Sequence, residues 1–280
     1  SERFDTHFDL AVSYIEGGSA YYVHDHVSAA KKAAFIHVDY VQAGYTRRLD
    51  KDCYVDFDRI FAVSDETAGV FAGVYPECQQ KLSVFHNLID TEAIRQKALS
   101  PAEKSMHEGI RLLTVGRLTP QKGFDCAVYA LKLLLEKQYP VYWYIIGEGP
   151  EYGRLTQLAR SLHVEDHFIF LGMQNNPYPY FKMADFYIHA TRFEGKSIAI
   201  QEAQVLGCAI AASDCSGNRE QIVSGVDGLL CPFSPEGIAN AVEYLIEHPQ
   251  TAESFGRAAA QKACHFENDI HMIRDLLYSP

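Results

Sequence analysis

The chain has 280 residues, enough for two domains with a sizeable core, and its 48% hydrophobic and 22% charged residues are those of a globular enzyme. A net charge of −11, shared between residues 1–107 (11 basic, 16 acidic) and 108–280 (14 basic, 20 acidic), argues against general nucleic-acid affinity.

In chain order, the sequence opens Ser1-Glu-Arg-Phe4 with no initiator Met and enters at once an apolar strand over 8–15. We therefore expect that the N-terminus is missing. Further strands are expected at 33–38, 59–63 and 81–86. Ser64 before Asp65-Glu66 reads as a helix cap, with a helix to about Val74. Asn87 to Asp90 reads as a turn before a helix near 91–98. The polar, Pro-containing stretch 99–109 reads as an interdomain linker. A second α/β series follows, with strands at 111–115, 141–146, 167–171, 186–190, 209–212 and 229–231, and late helices at 255–262 and 269–278. Alternating strands and helices predict parallel sheets. The expected division is 1–102, 103–264, and a C-terminal helix within 265–280.

Thr191-Arg-Phe-Glu194-Gly195-Lys196-Ser197-Ile198 through Glu202, Gly207 and Ile210 places two carboxylates eight positions apart, between a strand and the helix after it. In an open parallel sheet, ligands sit beyond the carboxyl ends of strands, beside helix N-termini. Glu194 falls in the turn, and Glu202 about a turn and a half into the helix, roughly 7 Å along it at ~1.5 Å per residue. The amides of Gly195, Lys196, Ser197 and Ile198 lie between them and suit an anion. A diphosphate at the helix start, with a ribose on one carboxylate and a sugar hydroxyl on the other, fits this layout.

The segment resembles the Glu-x7-Glu motif of the retaining glycosyltransferases of family 4, and companion motifs extend the resemblance over nearly the whole chain. It implies a GT-B fold: α/β, two Rossmann-like domains facing a cleft, with the first incomplete because its opening strand and glycine-rich loop are not found. Gly116-Arg117 to Lys122-Gly123 is similar to the family's Gly-Arg…Lys-Gly motif, where an Arg fork and a Lys point charge neutralise a diphosphate leaving group. Gly147-Glu-Gly149-Pro150 lacks the third-glycine spacing and the later acid of a dinucleotide fingerprint, so NAD is disfavoured and the family's Gly-x-Gly-Pro donor loop fits better. Leu171-Gly-Met173-Gln174 matches the loop that touches the nucleobase. Asn176-Pro-Tyr-Pro-Tyr180 resembles a capsular and exopolysaccharide subset, and Lys196-Ser197 stands where most members have Phe-Gly or Phe-Pro. Ser213 to Glu220 and Gly225 to Gly228 complete the C-terminal pattern, with Glu220 read as structural.

In the N-terminal part, His37 at a strand end resembles the histidine placed near the donor sugar and reacting centre, a neutral imidazole able to hydrogen-bond sugar or acceptor. Glu16-Gly17-Gly18 after the first strand is the acceptor-side candidate. Asp56-Phe-Asp58 matches the Asp-x-Asp metal motif of another glycosyltransferase fold, but it precedes a strand outside the donor half and reads as turn carboxylates. His24-Asp-His26 has no third ligand at suitable spacing, so no metal or other cofactor is expected.

Seven cysteines, odd in number and without Cys-x-x-Cys spacing, point to a reducing compartment. No signal peptide or long apolar span is visible, so the protein reads as cytoplasmic. Lys31, Lys32, Arg47, Arg48 and Lys51 form a basic stretch. It reads either as a solvated face or as a contact with anionic lipid at the inner membrane face. The expected partners are a nucleotide-sugar donor, with UDP by family habit, and a saccharide or lipid-linked acceptor; no nucleic acid is expected. The alternatives are a nucleotide-sugar epimerase on the same fold and a non-catalytic nucleotide-sugar binding fragment.

Overall fold

A computed structural model describes residues 6–264 and 269–278. The Ser1-to-Phe4 start, and residues 265–268 and 279–280 of the expected C-terminal segment, lie outside the described residues. The chain divides into two compact units, 6–88 with 194–196 and 269–278, and 89–193 with 197–264.

The first unit carries β1 (His7–Ser13), α1 (Gly18–His26), β2 (Ser28–Ile36), α2 (Arg47–Asp50), β3 (Arg59–Ala62), α3 (Asp65–Val74) and β4 (Leu82–Val84). Its strands pair in parallel in the order β1-β2-β3-β4. Strand alternation splits its core. Ala34, Ile36 and Ile60 face an aromatic cluster containing Tyr40, Tyr54, Phe57, Phe71 and Tyr75, while Ala33, Phe35 and Phe61 face the other way with Phe85. Ser64 caps α3 as expected, its hydroxyl accepting from the Thr67 amide at 3.1 Å. Strand β2 begins at Ser28, earlier than the sequence pattern indicated, because Lys31 and Lys32 sit in the ladder with β1. The Lys32 ammonium donates to the Val23 and His24 carbonyls at 3.0 and 2.9 Å, closing the C-terminal end of α1. Arg47 is held by Asp52 and Glu77. Lys32 and Arg47 of the basic stretch are thus committed to the fold.

The second unit carries α4 (Thr91–Lys97), β5 (Ile110–Val115), α5 (Phe124–Glu136), β6 (Val141–Ile146), α6 (Tyr152–Ser161), β7 (Phe168–Gly172), α7 (Tyr178–Met183) and β8 (Phe186–His189). It continues with α8 (Ile198–Val205), β9 (Ala209–Ser213), α9 (Ser216–Arg219), β10 (Leu229–Cys231), α10 (Pro235–Glu247) and α11 (Pro249–Ala263). All its strands are parallel, in the order β10-β9-β8-β5-β6-β7. They read as near-continuous apolar runs because helices cover both faces. Leu112, Trp143, Ile145 and Ile188 face α5 and α10, while Leu113, Tyr144, Tyr187 and Ile210 face α7 and α8. Strand order reverses between β5 and β8, the switch point at which such sheets bind ligands.

Residues 89–102, grouped with the first domain on sequence, pack with the second unit. Ile94 of α4 is buried against Val205 and Ala263. The 99–109 stretch is also laid along this unit, its Lys104 amide donating to the Tyr180 hydroxyl at 3.0 Å and its His107 amide to the Tyr144 hydroxyl at 2.6 Å. Helix α11 starts at Pro249, ahead of the expected 255, because a proline at the first helical position forfeits only an amide that has no helical partner. The last helix, α12 (Ile270–Tyr278), belongs to the first unit: Leu276 packs with Phe35, Phe61 and Phe85, and Asp269 accepts from the His86 amide at 2.7 Å.

Candidate functional site

The carboxyl ends of β5, β6 and β7 are laced together backbone to backbone. The Gly116 amide donates to the Ile146 carbonyl at 3.0 Å, Leu118 to Glu148 at 2.9 Å, Glu151 to Leu118 at 3.1 Å, and Gly147 to Gly172 at 3.0 Å. Glycine is required where these loops touch. Gly147 has φ 140° and a Cβ there would overlap the Gly116 carbonyl; one on Gly149 would overlap that of Leu118. Gly153, the late third glycine of the motif, has open space around it. The Lys122 stem runs beside Gly116, about 3.8 Å from where a Cβ would stand, and Arg117 is exposed, so both expected diphosphate cations lie on the β5 loop. Gly147, Gly149, Tyr152, Phe170 and Gly172 line a cavity of about 480 Å³. Next to it, Met173 is exposed, while Gln174 donates to the Leu171 carbonyl at 2.9 Å and accepts from the Tyr180 hydroxyl at 3.3 Å. The Gln174 side chain thus holds the loop.

At the switch point, the β8 loop is stapled to the β5 loop. Buried Thr191 donates to the carbonyls of Gln121 and Phe193 at 3.1 and 3.0 Å, the Gln121 amide group donates to Phe193 at 2.9 Å, and the Arg192 amide donates to Gln121 at 2.9 Å. Arg192 forks onto Asp125 at 3.0 and 2.7 Å and lies over the Phe233 ring. The sequence reading gave Gln121 and Thr191 no role, although both lie inside motifs it quoted; hydrogen bonds to backbone carbonyls leave no spacing signature.

Helix α8 starts later than the spacing implied. Ser197 is its N-cap, the hydroxyl accepting from the Ile200 amide at 3.4 Å, and Gly195 and Lys196 lie outside the helix. With the Ile200 amide taken by the cap, the first-turn amides with neither a helical nor a capping partner are those of Ile198 and Ala199. Glu202 sits four residues past the helix start, half-buried, and its Oε1 accepts from the Tyr178 hydroxyl at 3.0 Å. Desolvation raises the Glu202 carboxyl pKa, and the Tyr178 hydrogen bond opposes that rise.

The Glu194-Gly195-Lys196 turn, though flanked by second-unit residues, belongs to the first unit. A Cβ on Gly195 would overlap the His37 carbonyl and come within 3.4 Å of the Thr67 hydroxyl. Buried Asn87 donates from its amide group to the Lys196 carbonyl at 3.2 Å, a contact the turn reading of Asn87 did not anticipate. Glu194, Lys196 and His37 are thereby gathered in this unit.

The His37 ring lies 4.9 Å edge-on from Tyr14 and stacks on Phe35 at 5.9 Å. Its Nε2 has no hydrogen-bond partner among the described residues. Burial lowers its pKa, so the imidazole is held neutral. Glu16 is 8% exposed, and its carboxylate accepts from the His37 amide at 2.9 Å. Gly17, at φ 75°, donates to the Tyr54 hydroxyl at 3.1 Å, and Gly18 begins α1. The Glu16 side chain therefore positions His37.

The set-aside carboxylates have local partners. Asp56 meets His24 Nε2 at 2.8 Å, and Asp58 accepts from the Lys32 amide at 2.7 Å. A larger cavity of about 720 Å³ lies at the amino ends of β5, β8 and β9, lined in part by Ile110, Phe186, Ala209 and Gly256. That is the wrong edge of a parallel sheet for ligand binding, so the smaller cavity at the carboxyl ends is the candidate.

Known proteins resemble this chain in sequence and in fold. A Campylobacter jejuni protein named N-acetylgalactosamine-N,N'-diacetylbacillosaminyl-diphospho-undecaprenol 4-alpha-N-acetylgalactosaminyltransferase is 30% identical over 200 residues, 71% of this chain and 53% of that protein. The chain spans about half the length of the curated relatives it matches, covering 42% of an uncharacterized glycosyltransferase of Methanocaldococcus jannaschii. Among solved structures, a glycosyltransferase from Rickettsia africae superposes with a TM-score of 0.79 at 18% identity, over 97% of this chain and 78% of that one. Anabaena HepE in complex with UDP-glucose superposes at 0.75, also at 18% identity, over 88% and 71%. These likenesses establish the α/β fold as GT-B in type. The family described as glycosyl transferases group 1 matches residues 95–262, more than half of the chain and all of the laced loops above, and the chain belongs to it.

Proposed function

We propose that the protein is a retaining, metal-independent glycosyltransferase that moves a sugar from a nucleoside-diphosphate sugar, with uridine as the base, to a saccharide or lipid-linked acceptor in bacterial surface polysaccharide assembly. The observation that carries this reading is the junction of the β5 and β8 loops at the switch point, with Arg117 and Lys122 on the first. The matched family and the UDP-glucose bound by Anabaena HepE support it.

In this reading Arg117, Lys122 and the first amides of α8 hold the diphosphate and stabilise the charge it gains as the glycosidic bond breaks. The backbone at Gly147, Gly149, Met173 and Gln174 seats the nucleoside, and Glu202 takes the ribose hydroxyls. Glu194 and Lys196 bind the donor sugar. The neutral His37 offers its unpartnered Nε2 to the sugar or the acceptor. The acceptor hydroxyl attacks on the face the diphosphate leaves, and its proton passes to the departing phosphate oxygen. Retention then requires no covalent intermediate on Glu194. Peripheral contact with the inner membrane face would rest on the basic stretch.

The test is calorimetric titration with UDP, GDP, ADP and NAD, each in excess EDTA, followed by product analysis with the matching sugar nucleotide. Metal-free binding of one nucleoside diphosphate, weakened in Glu202→Ala, is expected. Binding of NAD alone, or a donor affinity indifferent to Glu202→Ala, would sink the reading.

A further inference from the structure

Helix α7 begins with Tyr178, inside a segment fixed at both ends. Upstream, the Asn176 amide group donates to the Lys97 carbonyl on α4 at 2.8 Å. Downstream, the Tyr178 ring lies 6.5 Å from that of Phe181 and packs with Ile94, Val205 and Ala263. The ring edge is thereby carried to α8, where the hydroxyl donates to Glu202 Oε1 at 3.0 Å. That bond leaves the Glu202 Oε2 without a partner among the described residues.

We propose that Tyr178 is a positioning residue for donor recognition, its hydroxyl fixing the Glu202 carboxylate in the ionised form and in the orientation that receives the ribose hydroxyls. This rests on the donor-site reading above. The physical need is plain: a half-buried carboxyl tends to take up a proton, and a protonated Glu202 would lose acceptor strength towards a diol. Desolvation does raise its pKa, and Tyr178 is the titratable side chain that counters it. On the helices that contact α8, Arg95 of α4 turns to the Cys264 sulfur at 3.6 Å and Glu92 to Gln96, and Lys262 of α11 is held by Asp227 at 2.7 Å. Among the described residues no cation pairs with Glu202, so the tyrosine hydroxyl is the group that opposes its protonation.

The experiment compares UDP with 2′-deoxy-UDP by calorimetry, in the unmutated protein and in Tyr178→Phe, across a pH series. Phenylalanine keeps the ring packing, and thermal unfolding verifies the fold. Both ligands carry the same diphosphate, so their affinity ratio is blind to phosphate ionisation. Tyr178→Phe is expected to weaken UDP by roughly tenfold, about 1.4 kcal/mol, in line with the loss of a hydrogen bond to a charged group. The preference for UDP over 2′-deoxy-UDP should shrink, and the pH below which it fades should move upward. In the unmutated protein, the preference should itself fade as pH falls while still above the ordinary glutamate value of 4.5.

Tyr178→Phe with unchanged UDP affinity, preference and pH profile overturns the proposal. So does a preference in the unmutated protein that stays flat down to pH 4.5, a result that needs no variant. If UDP binds without any ribose preference, the positioning role fails while the donor site stands. If no nucleoside diphosphate binds, the donor reading itself fails and takes this one with it.

Discussion

Gly147→Ala separates the backbone role of the Gly-x-Gly loop from incidental glycine content. The backbone there has φ 140°, a region closed to L side chains, and a Cβ would overlap the Gly116 carbonyl. Holding alanine in such a conformation costs about 1–3 kcal/mol. Relieving the overlap requires the β5 and β6 loops to part, weakening the Gly116-to-Ile146 and Gly147-to-Gly172 hydrogen bonds, both 3.0 Å. At about 1 kcal/mol for each bond, the expected loss is roughly 3–5 kcal/mol. Gly153→Ala is the matched control: the position lies in the first turn of α6, exposed, with nothing near its Cβ, so it should be neutral or gain up to about 1 kcal/mol of helix propensity. Urea unfolding can be followed by fluorescence of Trp143, the chain's single tryptophan, which is fully buried in β6 and donates to the Thr114 hydroxyl at 2.9 Å. Equal unfolding midpoints for the two variants would refute the steric argument, and with it the claim that the three loops are set by direct backbone contact.

If the proposed glycosyl transfer holds, Gly195→Ala should cut it roughly tenfold or more, because the methyl pushes the Glu194–Lys196 turn off the His37 carbonyl; the Trp143-reported midpoint should hold, and unchanged turnover would count against the turn's role. Thr191→Val removes a buried hydroxyl that bonds the Gln121 and Phe193 carbonyls and should cost about 1–2 kcal/mol in the same unfolding assay. For His37, the folded pKa lies below the unfolded 6.5, so the unfolded chain binds more protons on acidification. The stability from this residue is complete above pH 6.5 and is lost as pH falls from there through the folded pKa. Far-ultraviolet circular dichroism should show the urea midpoint dropping further on acidification for the unmutated protein than for His37→Gln, and parallel curves would contradict a buried neutral ring.

What the sequence made legible follows its physics. The strands of the second sheet were readable to within a residue or two because burial on both faces leaves uninterrupted apolar runs, as in Val141–Ile146. Strand β2 was shortened because Lys31 and Lys32 look solvated, yet the Lys32 ammonium closes the end of α1 while its stem stays in the ladder. The position of α8 turned on one capping serine, a residue as common in turns as at helix starts.

The candidate site divides along the same line. The groups proposed to touch ligand, Arg117, Lys122, Glu194 and Glu202, could be singled out because charge at fixed spacing is visible in a string of letters. The groups that aim them were not: Tyr178 on Glu202, Glu16 on the His37 amide, Asn87 on the Lys196 carbonyl, Thr191 and Gln121 across the switch point. Each of these contacts is long-range or ends on backbone, and backbone carries no residue code. Glu16 shows the consequence most sharply. Beside two glycines it read as an acceptor-side carboxylate, but its charge is turned on the amide that presents His37. A motif therefore names the chemistry of a site, while the aiming of that chemistry depends on polar side chains whose partners only the folded backbone can supply.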